Sequence, residues 1–256
     1  MLHQTQAARV ARAFTGFLRR FPTVADLAAA PRSAVLRAWS GLGYNRRAVY
    51  LSEAARLIVK KHGAQVPSAP ETLRTLPGVG PYTSAAVASI AFGLPVAALD
   101  TNVARVVARY RLGVESREVP RAKLEAAATD WLDQREPGSW NQALMDLGRE
   151  VCRADPRCDL CPLAPGCSFR AAGRSRLPSL RRQSPFPQSL RRVRGAVIRA
   201  LADRSSTSID VLSREAGESP DRIAEAVRAL ARDGLVDASP AALSGQLRGR
   251  LRLAGD

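Results

Sequence analysis

Four cysteines, Cys152, Cys158, Cys161 and Cys167, fall within 16 residues of a 256-residue chain, separated by five, two and five residues. A secreted disulfide framework spreads its cysteines along the chain, whereas thiols this close together read as a metal or cluster site in a reducing compartment. Spacing alone leaves a structural zinc ion and an iron–sulfur cluster both open. A second pattern is Leu76-Pro-Gly-Val-Gly80 between two predicted helices. A Gly-x-Gly turn that opens a helix exposes backbone N–H groups at the positive end of the helix dipole, so a phosphate can rest on Gly78, Val79 and Gly80. Such contacts position nucleic acid without reading its sequence. The third is Asp100 in Ala98-Leu-Asp-Thr-Asn102, at the mouth of a helix after an apolar run. Taken alone this position is an N-cap.

These groups need a scaffold, and the sequence up to residue 170 supplies helices. Val10, Phe14, Phe17 and Leu18 fall at helical spacing before Phe21-Pro22. Thr23 caps a short helix through Ala30, Ser33 opens the next, and Gly41-Leu-Gly-Tyr-Asn45 is a turn by its glycines. Helices follow over 47–62, 69–75, from Pro81, and over 102–110, 121–134 and 139–151. No alternating strand pattern interrupts them, which predicts an all-α domain over 1–170 with a cysteine loop at 152–167. Residues 171–194 read as a basic linker: the stretch 170–194 holds eight arginines, three prolines and no acid. Residues 195–256 read as helix, helix-turn-helix and a ribbon pairing Leu235-Val236 with Leu251-Arg-Leu253, a winged-helix-like unit. With only 62 residues, such a unit has a small core and gains from docking on the first domain.

Charge points to the partner. The chain carries 39 Lys and Arg against 23 Asp and Glu, a net charge of +16, and only Lys60, Lys61 and Lys123 are lysines. This excess matches a polyanion, nucleic acid first. No apolar run approaches a membrane span, and the first residues lack the apolar core of a signal peptide, so the expectation is a soluble cytoplasmic protein with no membrane partner.

The string Leu76-Pro-Gly-Val-Gly-Pro-Tyr-Thr-Ser-Ala-Ala-Val87 resembles the helix-hairpin-helix of the DNA glycosylase superfamily that includes endonuclease III. The resemblance runs over residues 1–170 and is strongest to its adenine-excising branch. Met1-Leu-His-Gln-Thr-Gln6, Gly41-Leu-Gly-Tyr44 and Trp140-Asn-Gln-Ala-Leu-Met-Asp-Leu-Gly148 carry it. It implies that Asp100 is the catalytic carboxylate and that Asn102 orients base or sugar. Gln4 would be the wedge in the duplex and Tyr44 would stack beside the oxidised guanine. Leu2, Tyr82 and the helix around Asn141 would border the flipped adenine, and Gly78, Val79, Gly80, Arg153 and Arg157 would hold the DNA backbone. Cys152, Cys158, Cys161 and Cys167 would carry a [4Fe–4S] cluster, although the first gap is one residue shorter than the family's. Tyr82 stands where the lyase branch has a lysine. An amine is needed for a Schiff base, so the resemblance implies a monofunctional enzyme.

The expected function is therefore base-excision repair of adenine opposite guanine or 8-oxoguanine in double-stranded DNA, by a monomer associated with the nucleoid. Two alternatives stand beside it: a catalytically inactive iron–sulfur DNA-binding protein, and an endonuclease III-like pyrimidine glycosylase. The resemblance also places the branch's general-acid glutamate before residue 1. From that the sequence predicts a chain that binds mismatched DNA but excises adenine slowly or not at all. The C-terminal unit stands where many adenine glycosylases carry a Nudix-related domain.

Overall fold

The computed structural model describes residues 1–2, 5–173 and 186–256. Gln4 and half of the expected basic linker, residues 174–185, lie outside these residues. The chain forms two compact units, Met1–Val66 with Arg182–Asp256, and Pro67–Arg181. The division differs from the one expected at residues 170 and 195, because the N-terminal helices share a core with the C-terminal segment.

In the first unit the chain forms α1 (Ala7–Arg20), α2 (Val24–Ala29), α3 (Arg32–Trp39) and α4 (Arg46–His62). Thr23 caps α2: its hydroxyl accepts from the Asp26 N–H while the Asp26 carboxylate accepts from the Thr23 N–H. Gly63, in the left-handed conformation, closes α4. The C-terminal segment adds α11 (Leu190–Ala202), β1 (Thr207–Ser208), α12 (Ile209–Ala216), α13 (Pro220–Arg232), β2 (Val236–Ala238), α14 (Pro240–Leu243) and β3 (Arg250–Leu253). The sheet is antiparallel with order β1-β3-β2, and Val236 lies opposite Leu253, so the ribbon read from the sequence forms. α11 begins at Leu190, within the stretch expected to be a tether.

Phe17, Phe21, Leu36 and Trp39 belong to the same buried cluster as Val197, Leu201, Ile223 and Leu230. Polar clamps edge that core. Arg37 pairs with Asp256 at 2.5 Å, the Ser33 hydroxyl donates to the Gly255 carbonyl at 3.3 Å, and Arg32 donates to the Gly234 carbonyl at 3.3 Å. The small core of the winged-helix-like unit is thus completed by the N-terminal helices. α13, the helix in the recognition position, buries Ile223, Ala224, Ala226, Val227, Ala229 and Leu230. Asp221 and Glu225 are among the positions it leaves exposed.

The second unit contains α5 (Pro70–Leu73), α6 (Pro81–Phe92), α7 (Thr101–Leu112), α8 (Arg121–Trp131), α9 (Pro137–Glu150) and α10 (Ser168–Ala171). α8 ends at Trp131, short of the residue 134 read from the sequence. Leu99, Val103, Val106 and Val107 form its core with Leu124, Ala128 and Leu144. α9 approaches α7 so closely that a Cβ on Gly148 would lie 2.7 Å from the Cβ of Asn102. Only glycine fits this crossing, which fixes where the start of α7 stands.

Candidate DNA-binding and catalytic site

The hairpin between α5 and α6 is built as its sequence requires. Gly78 has φ +74°, a left-handed conformation that favours glycine. The Val79 N–H donates to the Leu76 carbonyl at 3.1 Å and closes the turn. Gly80 is the N-cap of α6 and Pro81 its first residue. A Cβ on Gly80 would meet nothing within 4 Å, so its approach is open. Tyr82 and Thr83 follow in the first turn of α6, at the positive end of its dipole.

Asp100 is the N-cap of α7, and both its oxygens are held. Oδ1 accepts from the N–H groups of Asn102 at 2.8 Å and Val103 at 2.7 Å. Oδ2 accepts from Asn102 Nδ2 at 3.0 Å. Asn102 Oδ1 in turn accepts from Arg105 Nη2 at 2.8 Å. Arg105 also donates to the carbonyls of Gly148 at 2.6 Å and Cys152 at 2.7 Å. A continuous set of hydrogen bonds therefore joins the first cysteine's backbone to the carboxylate. Tyr82, at the start of α6, places its hydroxyl 3.6 Å from Met145 Sδ. Burial pushes its phenol above the ordinary range and the charge of Asp100 adds to this, so Tyr82 is a neutral neighbour of the carboxylate.

The segment leading into Asp100 is fixed by a residue whose role was not read from the sequence. Asn141 on α9 is fully buried. Its Nδ2 donates to Ser89 Oγ and to the carbonyls of Val96 and Pro137, and its Oδ1 accepts from the Ala98 N–H at 2.7 Å. Asn141 is a core staple, not a pocket wall. An asparagine on the apolar face that carries Pro137 and Leu144 was the available signal. Asp146 and Glu150, the other acids of α9, are exposed and paired with Arg149.

All four cysteines are free thiols and line one cavity, with Arg109, Arg157, Phe169 and Arg170 around it. Among the described residues no three Cys, His, Asp or Glu side chains are gathered tightly enough to hold a single ion. Burial raises the Cys152 thiol, and a hydrogen bond from Arg109 opposes that rise. Sulfur donors around one cavity with the buried cation of Arg109 beside them fit a group that needs thiolates. Arg153 and Arg157 stand exposed on this loop.

The remaining expected contacts lie in the first unit. Tyr44 is 49% exposed with φ +47°, a left-handed conformation that strains a bulky residue. Arg47 braces it. Its guanidinium lies 5.8 Å from the Tyr44 ring centroid and 5.2 Å from that of Trp39, and it donates to the Gly43 carbonyl at 3.2 Å. The same guanidinium donates to the Met1 carbonyl at 2.9 Å and to the Thr5 hydroxyl at 2.7 Å. Arg47, not singled out in the sequence, thus clips the Gly41–Tyr44 turn to the segment bearing exposed Leu2.

Residues 1–133 match the HhH-GPD superfamily of base excision DNA repair proteins. The adenine DNA glycosylase of Mycolicibacterium smegmatis is 36% identical over 261 residues, covering 100% of this chain and 85% of that protein. That of Mycobacterium tuberculosis is 44% identical over 209 residues, 78% of this chain and 67% of that protein. The human adenine DNA glycosylase is 43% identical over 174 residues, 66% of this chain and 32% of that protein, so the chain spans about a third of the human enzyme. A thermostable thymine-DNA glycosylase superposes with a TM-score of 0.62 at 30% identity, over 67% of this chain and 80% of its own. Endonuclease III trapped in a covalent intermediate with DNA gives 0.59 at 26% identity, over 68% and 82%. Hairpin, capped carboxylate and relatives agree: the chain belongs to the HhH-GPD superfamily of base excision DNA repair proteins and, within it, to the adenine DNA glycosylase family.

Proposed function

We propose that this protein is a monofunctional DNA N-glycosylase that removes adenine mispaired with guanine or 8-oxoguanine from double-stranded DNA, slowly in this chain. The observation that carries the proposal is the Asp100 carboxylate, held by two backbone N–H groups at 2.8 and 2.7 Å and by Asn102 at 3.0 Å. Cleaving an N-glycosidic bond builds positive charge on the sugar, and an ionised carboxylate at a helix N-terminus is pre-oriented to stabilise it. The backbone of Gly78, Val79 and Gly80 takes a phosphate of the strand, and Arg153 and Arg157 take others. Leu2, Tyr44 and Gln4 act at the duplex where the base leaves the stack. Unpairing is cheapest at a mismatch, which contributes to selectivity. Asn102 holds the carboxylate, and through it Arg105 ties that orientation to the cysteine loop. Tyr82 has no amine, so water completes the reaction without a Schiff base.

Cys152, Cys158, Cys161 and Cys167 would hold a [4Fe–4S] cluster, which when bound supplies a redox-active cross-link of their loop. The protein works as a monomer on the cell's DNA. Among the described residues no helix is long and apolar enough to cross a membrane. Single-turnover assays on duplexes with adenine opposite 8-oxoguanine, adenine opposite guanine, and thymine glycol test the proposal. Free adenine released from the first two supports it. Release from the thymine glycol duplex alone makes the chain a pyrimidine glycosylase, and binding with no release makes it a DNA-binding protein without activity.

A further inference from the structure

One turn beyond Arg105 on α7 stands Arg109, whose side chain is 2% exposed. A buried guanidinium is costly unless paired, and an apolar residue of similar size would commonly serve packing as well or better. The surroundings of Arg109 are specific. Nη2 donates to Glu115 Oε1 at 2.7 Å and to the Ala154 carbonyl at 3.2 Å. Nη1 donates to the Arg153 carbonyl at 2.7 Å and lies 3.6 Å from Cys152 Sγ. The guanidinium carbon sits 5.1 Å from the Phe169 ring centroid, and the Cys167 thiol approaches the Arg109 carbonyl at 3.8 Å. Nε is buried with no hydrogen-bond partner among the described residues. Glu115 is itself nearly buried, and its N–H donates to Glu118 at 2.7 Å, which fixes it at the end of the turn after α7. The paired guanidinium thus touches the first cysteine and the two carbonyls that follow it, while the last cysteine meets the backbone of Arg109.

We propose that Arg109 is a positioning residue that balances the negative charge gathered on Cys152 when the cysteines hold their cluster, with Glu115 setting how much of that positive charge the cluster feels. The proposal rests on the reading that the cavity holds a [4Fe–4S] cluster. Its consequence is electrostatic. A buried cation stabilises the more negative, reduced form of the cluster, and Glu115 weakens that effect. Removing Glu115's charge leaves Arg109 uncompensated and favours the reduced form. Removing Arg109's charge leaves Glu115 uncompensated and favours the oxidised form. Removing both restores a neutral pair. A loosened loop gives no such alternation of sign.

The test uses the full chain reconstituted anaerobically, with iron and labile sulfide counted first and the midpoint potential then read at an electrode, one electron passing between cluster and electrode. Glu115→Gln should shift the one-electron equilibrium about tenfold toward the reduced form, about 59 mV upward. Arg109→Gln should shift it about as far downward, and the double variant should fall between them, near wild type. Arg109→Lys keeps the charge, so its potential should stay near wild type even where a weaker grip on the loop makes iron easier to strip with a chelator. If Arg109→Gln does not retain iron, Glu115→Gln and Arg109→Lys still decide the matter. Full iron with both single charge-removing variants unmoved, or shifted in the same direction, overturns the role given to Arg109. Full iron with Glu115→Gln unmoved does the same when only that variant and Arg109→Lys can be loaded. Zinc without sulfide in the wild-type protein overturns the cluster reading itself.

Discussion

Replacing Gly148 with alanine puts one methyl group at the crossing of α9 and α7. An ideal Cβ there lies 2.7 Å from Asn102 Cβ, 3.0 Å from Asn102 O and 3.1 Å from Asn102 C. Carbon atoms rest at about 3.5–4.0 Å, so the two helices must part by roughly 0.8 Å. None of the three opposing atoms can rotate away, which places the strain near the upper end of the usual overpacking cost, about 3 kcal/mol. Alanine regains about 1 kcal/mol of helix propensity, leaving a net loss of about 2 kcal/mol. For a chain of this size that lowers Tm by about 4–8 °C. Gly16→Ala is the control: Gly16 lies in α1 and its Cβ would meet nothing within 4 Å, so only the propensity gain remains. The displaced atoms belong to Asn102, whose amide and N–H hold Asp100. Misplacing a catalytic group by about 1 Å commonly lowers rate about 100-fold. Calorimetry and single-turnover release of adenine opposite 8-oxoguanine read the two effects separately. A Gly148→Ala protein that melts at or above wild type and excises at the wild-type rate would refute both the crossing and the positioning of Asp100 through it.

Asp100→Asn keeps an oxygen for the two N–H groups that cap α7 but loses the charge. Excision should fall at least 100-fold, with stability changed by less than about 1 kcal/mol in thermal unfolding. A chain ended after residue 173 should unfold without cooperativity or aggregate, because Leu36 and Trp39 lose the cluster that buries them with Leu201 and Leu230; scanning calorimetry and light scattering read this directly. Burial pushes the Asp256 carboxyl up, but hydrogen bonds from Arg37 and Ser33 outweigh it and hold the group below its ordinary range. A depressed folded-state value means that this contribution is complete above the unfolded carboxylate range and lost as pH falls through the folded value. The stability difference between wild type and Arg37→Ala, about 1 kcal/mol, should hold from pH 5 to 8 and shrink below about pH 4 in urea titrations. Arg47→Ala should free the Gly41–Tyr44 turn and weaken DNA binding about tenfold in a fluorescence titration, with excision from saturated complexes changed less than binding.

The cysteine loop, the hairpin and the capped carboxylate were legible because the physics that shapes them is local. Gly78 takes a left-handed turn that favours glycine, Pro81 starts the helix, and Asp100 bonds the N–H groups two and three residues ahead. The winged-helix order followed equally from periodicity, with Ser208 capping α12 and Val236 pairing with Leu253. Arg105 and Arg109, and the tertiary roles of Asn141 and Gly148, were not legible, since their bonds and contacts join segments about 40–50 residues apart. An arginine interrupting Val106-Val107-Ala108 on a buried face is the trace such a residue leaves in sequence, and it names no partner. Tertiary structure alone decided that residues 1–66 share a core with the C-terminal segment. Periodicity shows that a helix has an apolar face, but only the packed chain shows which other face covers it, because burial rewards any apolar surface of suitable shape. The sequence determined which groups could do the chemistry; the crossing of α7 and α9 decided how one carboxylate is held.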